Sequence, residues 1–244
     1  MSEVPKSHPR YQSLRLREVI VAGVEEGVTS VHGLLAHGRG EAFDYLLGER
    51  TRRFAKRATR AAAAALLVAD HPVVSVNGNA AALVAGELVF LAELIGAPLE
   101  VNIFHSSKNR ERAIRNRLVS FGAKQVLLPD NVTTLPGIDS NRRFANPKGI
   151  LRADLVFVPL EDGDRCEALV KAGKKVVAVD LNPLSRTARK AHITIVDNVI
   201  RALPNLLKQV DQLKKKPETQ LREVVKEYRQ RDQLKEAVKT LRGT

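Results

Sequence analysis

The chain has 244 residues, of which 40 are Lys or Arg and 27 are Asp or Glu, so its formal net charge is +13. This length is enough to bury one substantial core with helical extensions, and the one cysteine, Cys166, excludes an internal disulfide and a cysteine-based zinc site. No signal-like leader and no run of about eighteen apolar residues is present, so we expect a cytoplasmic protein with no membrane partner.

Residues 1–70 are expected to form an N-terminal helical segment that packs on the core and contacts a second subunit. Residues 11–26 carry apolar side chains at loosely helical spacing. A short helix is expected over residues 41–47. A longer helix, capped by Thr51, is expected to pack its alanine run, residues 61–65, against another helix or a partner subunit.

Residues 33–43 read GLLAHGRGEAF, a stretch that nearly completes two nucleotide-binding motifs. As a phosphate loop it has Arg39 and Gly40 where Lys and then Ser or Thr are needed, and as a dinucleotide-binding turn it has Phe43 in place of the third glycine. The glycines on either side of Arg39 predict unusual backbone angles that expose its guanidinium to a ligand. An ordinary turn between helices with an incidental arginine is the alternative.

From residue 73 onward, short apolar runs alternate with helical segments, as in parallel strands joined by crossover helices. The expected strands cover residues 73–76, 99–104, 125–128, 155–159, 176–179 and 193–196. The sequence therefore predicts an α/β fold with a mostly parallel sheet flanked by helices, over a core of residues 71–215.

Two segments stand outside this alternation. Residues 130–149, DNVTTLPGIDSNRRFANPKG, are long for an α/β connection and rich in Pro, Gly, Asn and Asp. We expect a functional loop or a lid there, with disorder as the alternative. Residues 216–244 space apolar side chains along one helical face, so we expect a C-terminal amphipathic helix that docks on the core or on a second subunit.

Ligands in open parallel sheets collect beyond the carboxyl ends of the strands, so polar residues that follow each strand are candidate binding residues. After the first strand come Asn77, Gly78 and Asn79, where glycine permits close backbone approach and the N–H groups of a helix start favour an anion. An ordinary helix cap is the equal alternative. After the second strand, Lys108 and Arg110 either neutralise a phosphate or occupy a surface turn.

A second set of candidates follows the fifth and sixth strands. Asp180, Asn182 and Arg186 supply an acceptor for ribose hydroxyls, an amide for base edges and a cation for phosphate. Asp197 and Asn198 either cap the next helix or project into the same cleft, and spacing favours the cap for Asp197. No H-x-x-x-H pair and no G-x-S-x-G turn occurs, so the sequence indicates neither a preformed metal site nor covalent hydrolase chemistry.

The most distinctive segments are PKSHPRYQSLRLRE, LLAHGRGEAFDYLLGE, VSVNGNAAALVAGELVFLAELIGAPLEVNIFHS, LLPDN and VVAVDLNPLSRTARKAHITIVDNVIRALPNL. Together they resemble the archaeal 4-phosphopantoate–beta-alanine ligase family, which is also called phosphopantothenate synthetase. The similarity runs in order over nearly the whole chain, and only the extreme C-terminal helix is generic.

The resemblance implies an ATP-dependent ligase of coenzyme A biosynthesis, with a Rossmann-like build and a homodimeric assembly. Such an enzyme joins 4-phosphopantoate to beta-alanine through an acyl adenylate and releases 4'-phosphopantothenate, AMP and diphosphate. Magnesium would accompany the ATP, bridging phosphate oxygens rather than occupying a protein cage. The His-x-Gly-His signature of bacterial and eukaryotic pantothenate synthetases is absent from this sequence.

The resemblance also implies an ATP-binding set. The positions that match the family's are Arg17, Arg39, Asp180, Leu181, Asn182, Arg186, Thr187, Asn198 and Val199. Within this set we assign the triphosphate charge to Arg39 and Arg186, while Asp197 keeps its capping role and Asn198 reaches the ligand.

The remaining substrate groups are assigned by hypothesis. Residues 77–79, Lys108 and Arg110 are assigned the phosphate of phosphopantoate. The beta-alanine amine must lose a proton before it attacks, and for this base the sequence offers His37 and His105 on titration range alone.

Two other functions remain open from the sequence. The +13 charge is also typical of a nucleic-acid-binding module, although the positive charges are spread along the chain and only seven Phe, three Tyr and no Trp are available for base stacking. A nucleotide-binding regulator without turnover is the other function, because a fold alone does not establish activity. We expect small-molecule substrates and no nucleic-acid partner.

Overall fold

A computed structural model describes residues 4–130 and 132–243. Its strands are β1 (Pro72–Val76), β2 (Leu99–Val101), β3 (Val126–Leu127), β4 (Leu155–Val158), β5 (Lys175–Val179) and β6 (Ile193–Ile195). They form one parallel sheet in the order β3-β2-β1-β4-β5-β6. The predicted α/β fold is confirmed, and this strand order is that of the doubly wound Rossmann fold.

The central strands are buried on both faces, which explains their composition. All residues of β1 and β4 are buried, and β5 buries every residue except Lys175. Runs of valine are typical of parallel strands that helices cover on both sides. This is why apolar runs in the sequence locate the strands.

Helices cover both faces of the sheet. In the described residues they are α1 (Tyr11–Glu25), α2 (Val31–Leu47), α3 (Arg53–Leu67), α4 (Gly78–Leu94), α5 (Lys108–Ser120), α6 (Gly163–Lys171), α7 (Arg186–Lys190), α8 (Val199–Leu213), α9 (Glu218–Glu227) and α10 (Gln230–Leu241). The alanine run at residues 61–65 is buried where α3 packs against α8, so the predicted helix contact is confirmed. Its small side chains allow the two axes to approach closely.

Residues 33–43 do not form the predicted loop, because they lie inside α2. Ser30 caps this helix by accepting from the backbone N–H of Gly33 at 3.4 Å, and Gly48 ends it with a φ of 80°. Neither Gly38 nor Gly40 has a positive φ, so the unusual backbone angles predicted around Arg39 are wrong. A glycine costs a helix only about 1 kcal/mol, so packing can hold both within α2.

The predicted cap of α3 is also wrong. The residue at the N-cap position is Arg52, which makes no side-chain capping hydrogen bond. The hydroxyl of Thr51 donates instead to the carboxylate of Asp197 at 2.6 Å. The Thr51 hydroxyl, which local spacing assigned to the helix cap, therefore binds Asp197, a residue far away in sequence.

The C-terminal region forms two helices, α9 and α10, where one was predicted. Tyr228 between them is extended, with φ −65° and ψ 135°. Two residues later, at the start of α10, the side-chain amide of Gln230 accepts from the backbone N–H of Thr194 at 2.9 Å and donates to the carbonyl of Ala188 at 2.7 Å. At this break the side chain of Gln230 pairs a backbone N–H of the edge strand β6 and a backbone carbonyl of α7, a contact that apolar spacing does not encode.

The long connection predicted at residues 130–149 buries some of its side chains against the core; residue 131 lies outside the described residues. Leu135, Ile138 and Ala145 are buried in a cluster with β4 and α6. At the end of β2, Asn102 donates to the carbonyl of Phe144 at 3.1 Å. This packing disfavours the disordered alternative and holds the segment beside the ends of the strands.

Candidate functional site

The turn after β5 carries several of the residues predicted to bind ATP. Asp180 accepts hydrogen bonds from the backbone N–H of Asn182 at 2.9 Å and from the hydroxyl of Ser185. Burial raises the pKa of Asp180 against the effect of these hydrogen bonds. Ser185 caps α7, so that Arg186 begins the helix with its side chain exposed.

Helix α2 lies over this turn. A Cβ atom placed on Gly40 would lie 3.5 Å from Cδ1 of Leu181, an ordinary van der Waals distance. The preceding residue, Arg39, is exposed and makes no ion pair with another described residue. The helix therefore brings Arg39 close to the turn that carries Asp180 and Arg186.

Arg17 of α1 is held against α2 by Glu41. Its Nε and Nη2 atoms donate to Oε2 of Glu41 at 3.0 and 2.7 Å. Burial alone would raise the pKa of Glu41, but hydrogen bonds from Arg17, Ser13 and Tyr45 outweigh it and lower that pKa. The same hydrogen bond from Arg17 raises the pKa of the arginine. Two helices of the N-terminal segment thus place Arg17 on the side of α2 that also carries Glu41.

Asn198 caps α8, so the capping role predicted for Asp197 is wrong. The Oδ1 atom of Asn198 accepts from the backbone N–H two residues later at 3.3 Å, and its Nδ2 donates to Asp44 of α2 at 2.8 Å. Asp197 accepts from Nε of Arg201 at 2.9 Å and from Thr51. Val199 follows the cap and is buried. The start of α8 is therefore fixed to α2 by buried polar contacts.

Residues 77–79 cap the start of α4 and contact residues 28–29 and the first turn of α2. Asn77 accepts from the backbone N–H three residues later and donates to the carbonyl of Leu160 at 2.6 Å. Gly78 packs so closely on residues 28–29 that a Cβ would lie about 2.5 Å from a backbone oxygen. Asn79 donates to the carbonyl of Gly33 at 2.8 Å. The capping alternative is thus observed, and the side chains of both asparagines are occupied.

The two cations predicted after β2 lie in the first turn of α5. Lys108 lies 3.3 Å from the carboxylate of Glu111 and is exposed. Arg110 donates to the carbonyl of His105 at 2.7 Å, and burial lowers its pKa. The ring of His105 lies 4.5 Å from that of His32, at the start of α2. The first turn of α2 therefore lies beside this basic group.

His37, the other candidate base, lies near the middle of α2, five residues after His32. It borders a small cavity that is also lined by Ser13, Glu41, Asp44, Asn198 and Arg201. Burial is the main cause that lowers the pKa of His37. The imidazole is therefore neutral, and able to accept a proton, at neutral pH.

Sequence reasoning missed a buried ionic cluster beside these residues. The carboxylate of Glu161, in the turn after β4, forms ion pairs with Arg142 and with Arg165 of α6. All three side chains are almost completely buried. Only the four-residue spacing of Glu161 and Arg165 is visible in the sequence, because Arg142 comes from the long connection.

The predicted site residues thus form two groups that α2 connects. Near its first turn lie Asn79 and His105, and near its second half lie Leu181 and Asn198. Both groups lie at the carboxyl ends of the strands, where ligands of doubly wound folds bind. The arrangement is suited to holding two anionic molecules side by side.

Two further findings concern metals and membranes. Within residues 4–130 and 132–243, no group of three or more His, Cys, Asp or Glu side chains is placed to hold a metal ion. No helix in this described part is long and apolar enough to cross a bilayer.

Comparison with known proteins identifies the family. The family model described as phosphopantothenate/pantothenate synthetase matches residues 54–244. The chain belongs to this family. The resemblance found in the sequence segments is therefore confirmed, and the doubly wound sheet is the fold of a family member.

Curated relatives match between 83% and 98% of the chain. A protein of Thermococcus kodakarensis is 52% identical over 229 residues, which is 93% of this chain and 88% of the relative. A protein of Methanosarcina mazei is 49% identical over 238 residues, or 98% and 94% of the two chains. One from Methanospirillum hungatei is 50% identical over 203 residues, or 83% of each. All three are described as 4-phosphopantoate–beta-alanine ligases.

Proposed function

We propose that this protein is an ATP-dependent 4-phosphopantoate–beta-alanine ligase of coenzyme A biosynthesis. The names of its relatives support the overall reaction. The observation that carries the proposal is the position of α2 across the strand ends, because it connects Arg39 and Leu181 on one side with His105 and the start of α4 on the other.

The ATP site is proposed at the second half of α2, with the residues implied by the family resemblance. Arg39 and Arg186 are both exposed and have no ion pair within the described residues. Guanidinium groups in that state are available for phosphate, which they bind with paired hydrogen bonds. Asp180 and Asn182 follow β5, where a ribose and a base find acceptors and donors.

The phosphopantoate site is proposed at the first half of α2. Lys108 and Arg110 supply positive charge for its phosphate. Because the side chains of Asn77 and Asn79 are occupied, residues 77–79 would contribute through backbone N–H groups at the start of α4, where the helix dipole also favours an anion.

The proposed reaction has two steps. A carboxylate oxygen of phosphopantoate attacks the α-phosphorus of ATP, diphosphate leaves, and an acyl adenylate forms. The amine of beta-alanine then attacks the acyl carbon, AMP leaves, and the amine proton passes to a base. In both steps the protein mainly positions the reactants and neutralises their charge.

The residues that the structure describes do not form a dedicated magnesium site. Asp180 is the carboxylate in the nucleotide turn, and both of its oxygens accept hydrogen bonds from the protein. We therefore propose that Mg²⁺ arrives on the phosphate oxygens of ATP, and no step is assigned to it.

A cytoplasmic homodimer is the proposed assembly. Helix α2 exposes Val31, Leu35 and Leu46 by 61%, 65% and 59%. Large exposed apolar side chains on one element favour contact with another protein surface, here a second copy. Sedimentation of the purified protein should give twice the mass of the chain, and a monomer at working concentration would contradict this assembly.

The activity is tested by AMP release. The purified protein should release AMP from ATP only when both 4-phosphopantoate and beta-alanine are present. A nucleotide-binding regulator would bind ATP without this release. A nucleic-acid-binding module would instead shift DNA or RNA in gels, with a steep loss of binding between low and moderate salt.

A further inference from the structure

The turn at residues 160–163, which follows β4 after Pro159, is hydrogen-bonded to both halves of the proposed site. From the first half, Asn77 donates to the carbonyl of Leu160 at 2.6 Å. From the second half, Thr187 donates to the carbonyl of Glu161 at 3.0 Å. The backbone of this turn is therefore hydrogen-bonded by one residue from each predicted binding group.

The last residue of the turn is in direct contact with Arg186. A Cβ atom placed on Gly163 would overlap Cβ of Arg186 and would lie 2.9 Å from its Cγ and Cδ. Glycine is needed there because the stem of the arginine lies against the turn. A shift of residues 160–163 toward α7 would therefore displace the base of the Arg186 side chain.

The buried side chain of Glu161 holds the turn in place through ion pairs. Its carboxylate is about 1% exposed and forms ion pairs with Arg142 and Arg165, and Arg165 also donates to the hydroxyl of Ser75 at 3.1 Å. A buried carboxylate is stable only with such partners. The guanidinium of Arg142 also lies 2.9 Å from the carboxylate of Asp162, so it forms ion pairs with two consecutive residues of the turn.

Arg142 reaches this position from the long connection after β3. The carbonyl of Arg142 accepts from Nδ2 of Asn102 at 3.3 Å, and the same amide group binds the carbonyl of Phe144. Asn102 follows β2 directly. The long connection is therefore bound to the end of β2 through Asn102, while its Arg142 binds the turn after β4.

We propose that Arg142 is a positioning residue for the ligase reaction, and that it acts through Glu161 on Arg186 and on Asn77. This inference rests on the proposed function. Arg142 does not contact the substrates in this role. Without it, Glu161 keeps Arg165 as a partner, so the chain folds while the turn loses its link to the long connection and the triphosphate and acyl substrate lose their mutual alignment.

The test compares Arg142→Met with Arg143→Met, a matched control that removes the exposed neighbouring arginine. Arg142→Met should lower kcat/KM by roughly tenfold to a hundredfold, since a displacement of about 1 Å has that effect on aligned reactants. It should also raise the KM for ATP and speed amide hydrogen exchange at residues 160–163 and in α7. Arg143→Met should change none of these, and Arg142→Lys should recover part of the rate.

Wild-type kinetics, or unchanged amide exchange in α7, in folded Arg142→Met would overturn the inference. If Arg142→Met does not fold, Gly163→Ala is the variant to test. It leaves the ion pairs of Glu161 intact, and its added methyl group displaces Arg186 directly. An unchanged KM for ATP in Gly163→Ala would then overturn it. If the wild-type protein releases no AMP at all, the ligase function fails instead, and calorimetric ATP affinity with amide exchange still tests the link through the turn.

Discussion

Asn198 at the start of α8 donates a hydrogen bond of 2.8 Å from its side-chain amide to the carboxylate of Asp44 in α2. Arg201 binds the same carboxylate, and Asp197 in turn binds Arg201. The residue pair joins the N-terminal segment to the core across 154 positions of sequence. It ties α2, the helix that carries Arg39, to the start of α8 at the strand ends.

Asp44→Ala should therefore weaken both the fold and ATP binding. The change leaves the buried amide of Asn198 without its acceptor, while Arg201 keeps Asp197. We expect a loss of about 3 kcal/mol in the free energy of unfolding, measured with urea. Asp211→Ala, which removes an exposed carboxylate paired with Lys214, should change this free energy little. Equal losses in the two variants would show that the Asp44 contacts do not hold α2.

Arg39→Ala should leave the fold intact and reduce the use of ATP. If Arg39 binds the triphosphate, its loss should cost about 2–4 kcal/mol of transition-state stabilisation, seen in kcat/KM for ATP. Arg60→Ala is the control, since Arg60 is also an exposed helical arginine but lies on α3. Ligase kinetics equal to those of the wild type would remove Arg39 from the site.

Lys108→Ala should raise the KM for phosphopantoate by roughly tenfold or more and leave that for ATP nearly unchanged. Lys124→Ala is a matched control, because Lys124 also lies 3.3 Å from a carboxylate, that of Glu93. The control should show no effect on either substrate. If the KM for ATP rises instead in Lys108→Ala, the assignment of the two pockets is reversed.

The strands and most helices could be predicted because they depend on local patterns. A valine-rich strand such as β4 is recognisable since both of its faces are buried. The glycines of α2 were harder, because glycine marks either a flexible turn or a close approach. Gly33 illustrates the second case: a Cβ there would overlap side-chain atoms of Thr29 and Asn79, so glycine lets α2 approach α4 within a regular helix.

The location of the site could be predicted from the sequence, but the hydrogen bonds and ion pairs between its side chains could not. Strand ends follow from topology, so residues such as Asn77 and Asp180 could be identified as lying at one edge. Which side chains remain free depends on partners far away in sequence. The ion pair between Arg142 and Glu161 joins residues far apart in sequence, and so does the hydrogen bond from the Thr51 hydroxyl to Asp197. No spacing rule connects such residues.

A buried carboxylate in β2 provides a test by pH. Glu100 is completely buried and accepts hydrogen bonds from the backbone N–H groups of Asn146 at 2.9 Å and Ile150 at 2.6 Å. Burial outweighs these bonds and raises the pKa of Glu100 to about 7. The folded protein thus binds a proton at this site at pH values where the unfolded chain, with the ordinary pKa of 4.5, has released it.

The contribution of Glu100 to stability should therefore fall as the pH rises from about 4.5 to 7, by about 3 kcal/mol in total. Glu100→Gln cannot ionise, so it should lack this fall, even though its amide offers only one acceptor to the two backbone N–H groups. Urea unfolding at several pH values measures the difference between the two proteins. Glu18→Gln, which removes an exposed carboxylate on α1, should follow the wild type. A constant difference between wild type and Glu100→Gln across this range would mean that Glu100 stays ionised in the folded protein, held so by the backbone N–H groups of Asn146 and Ile150.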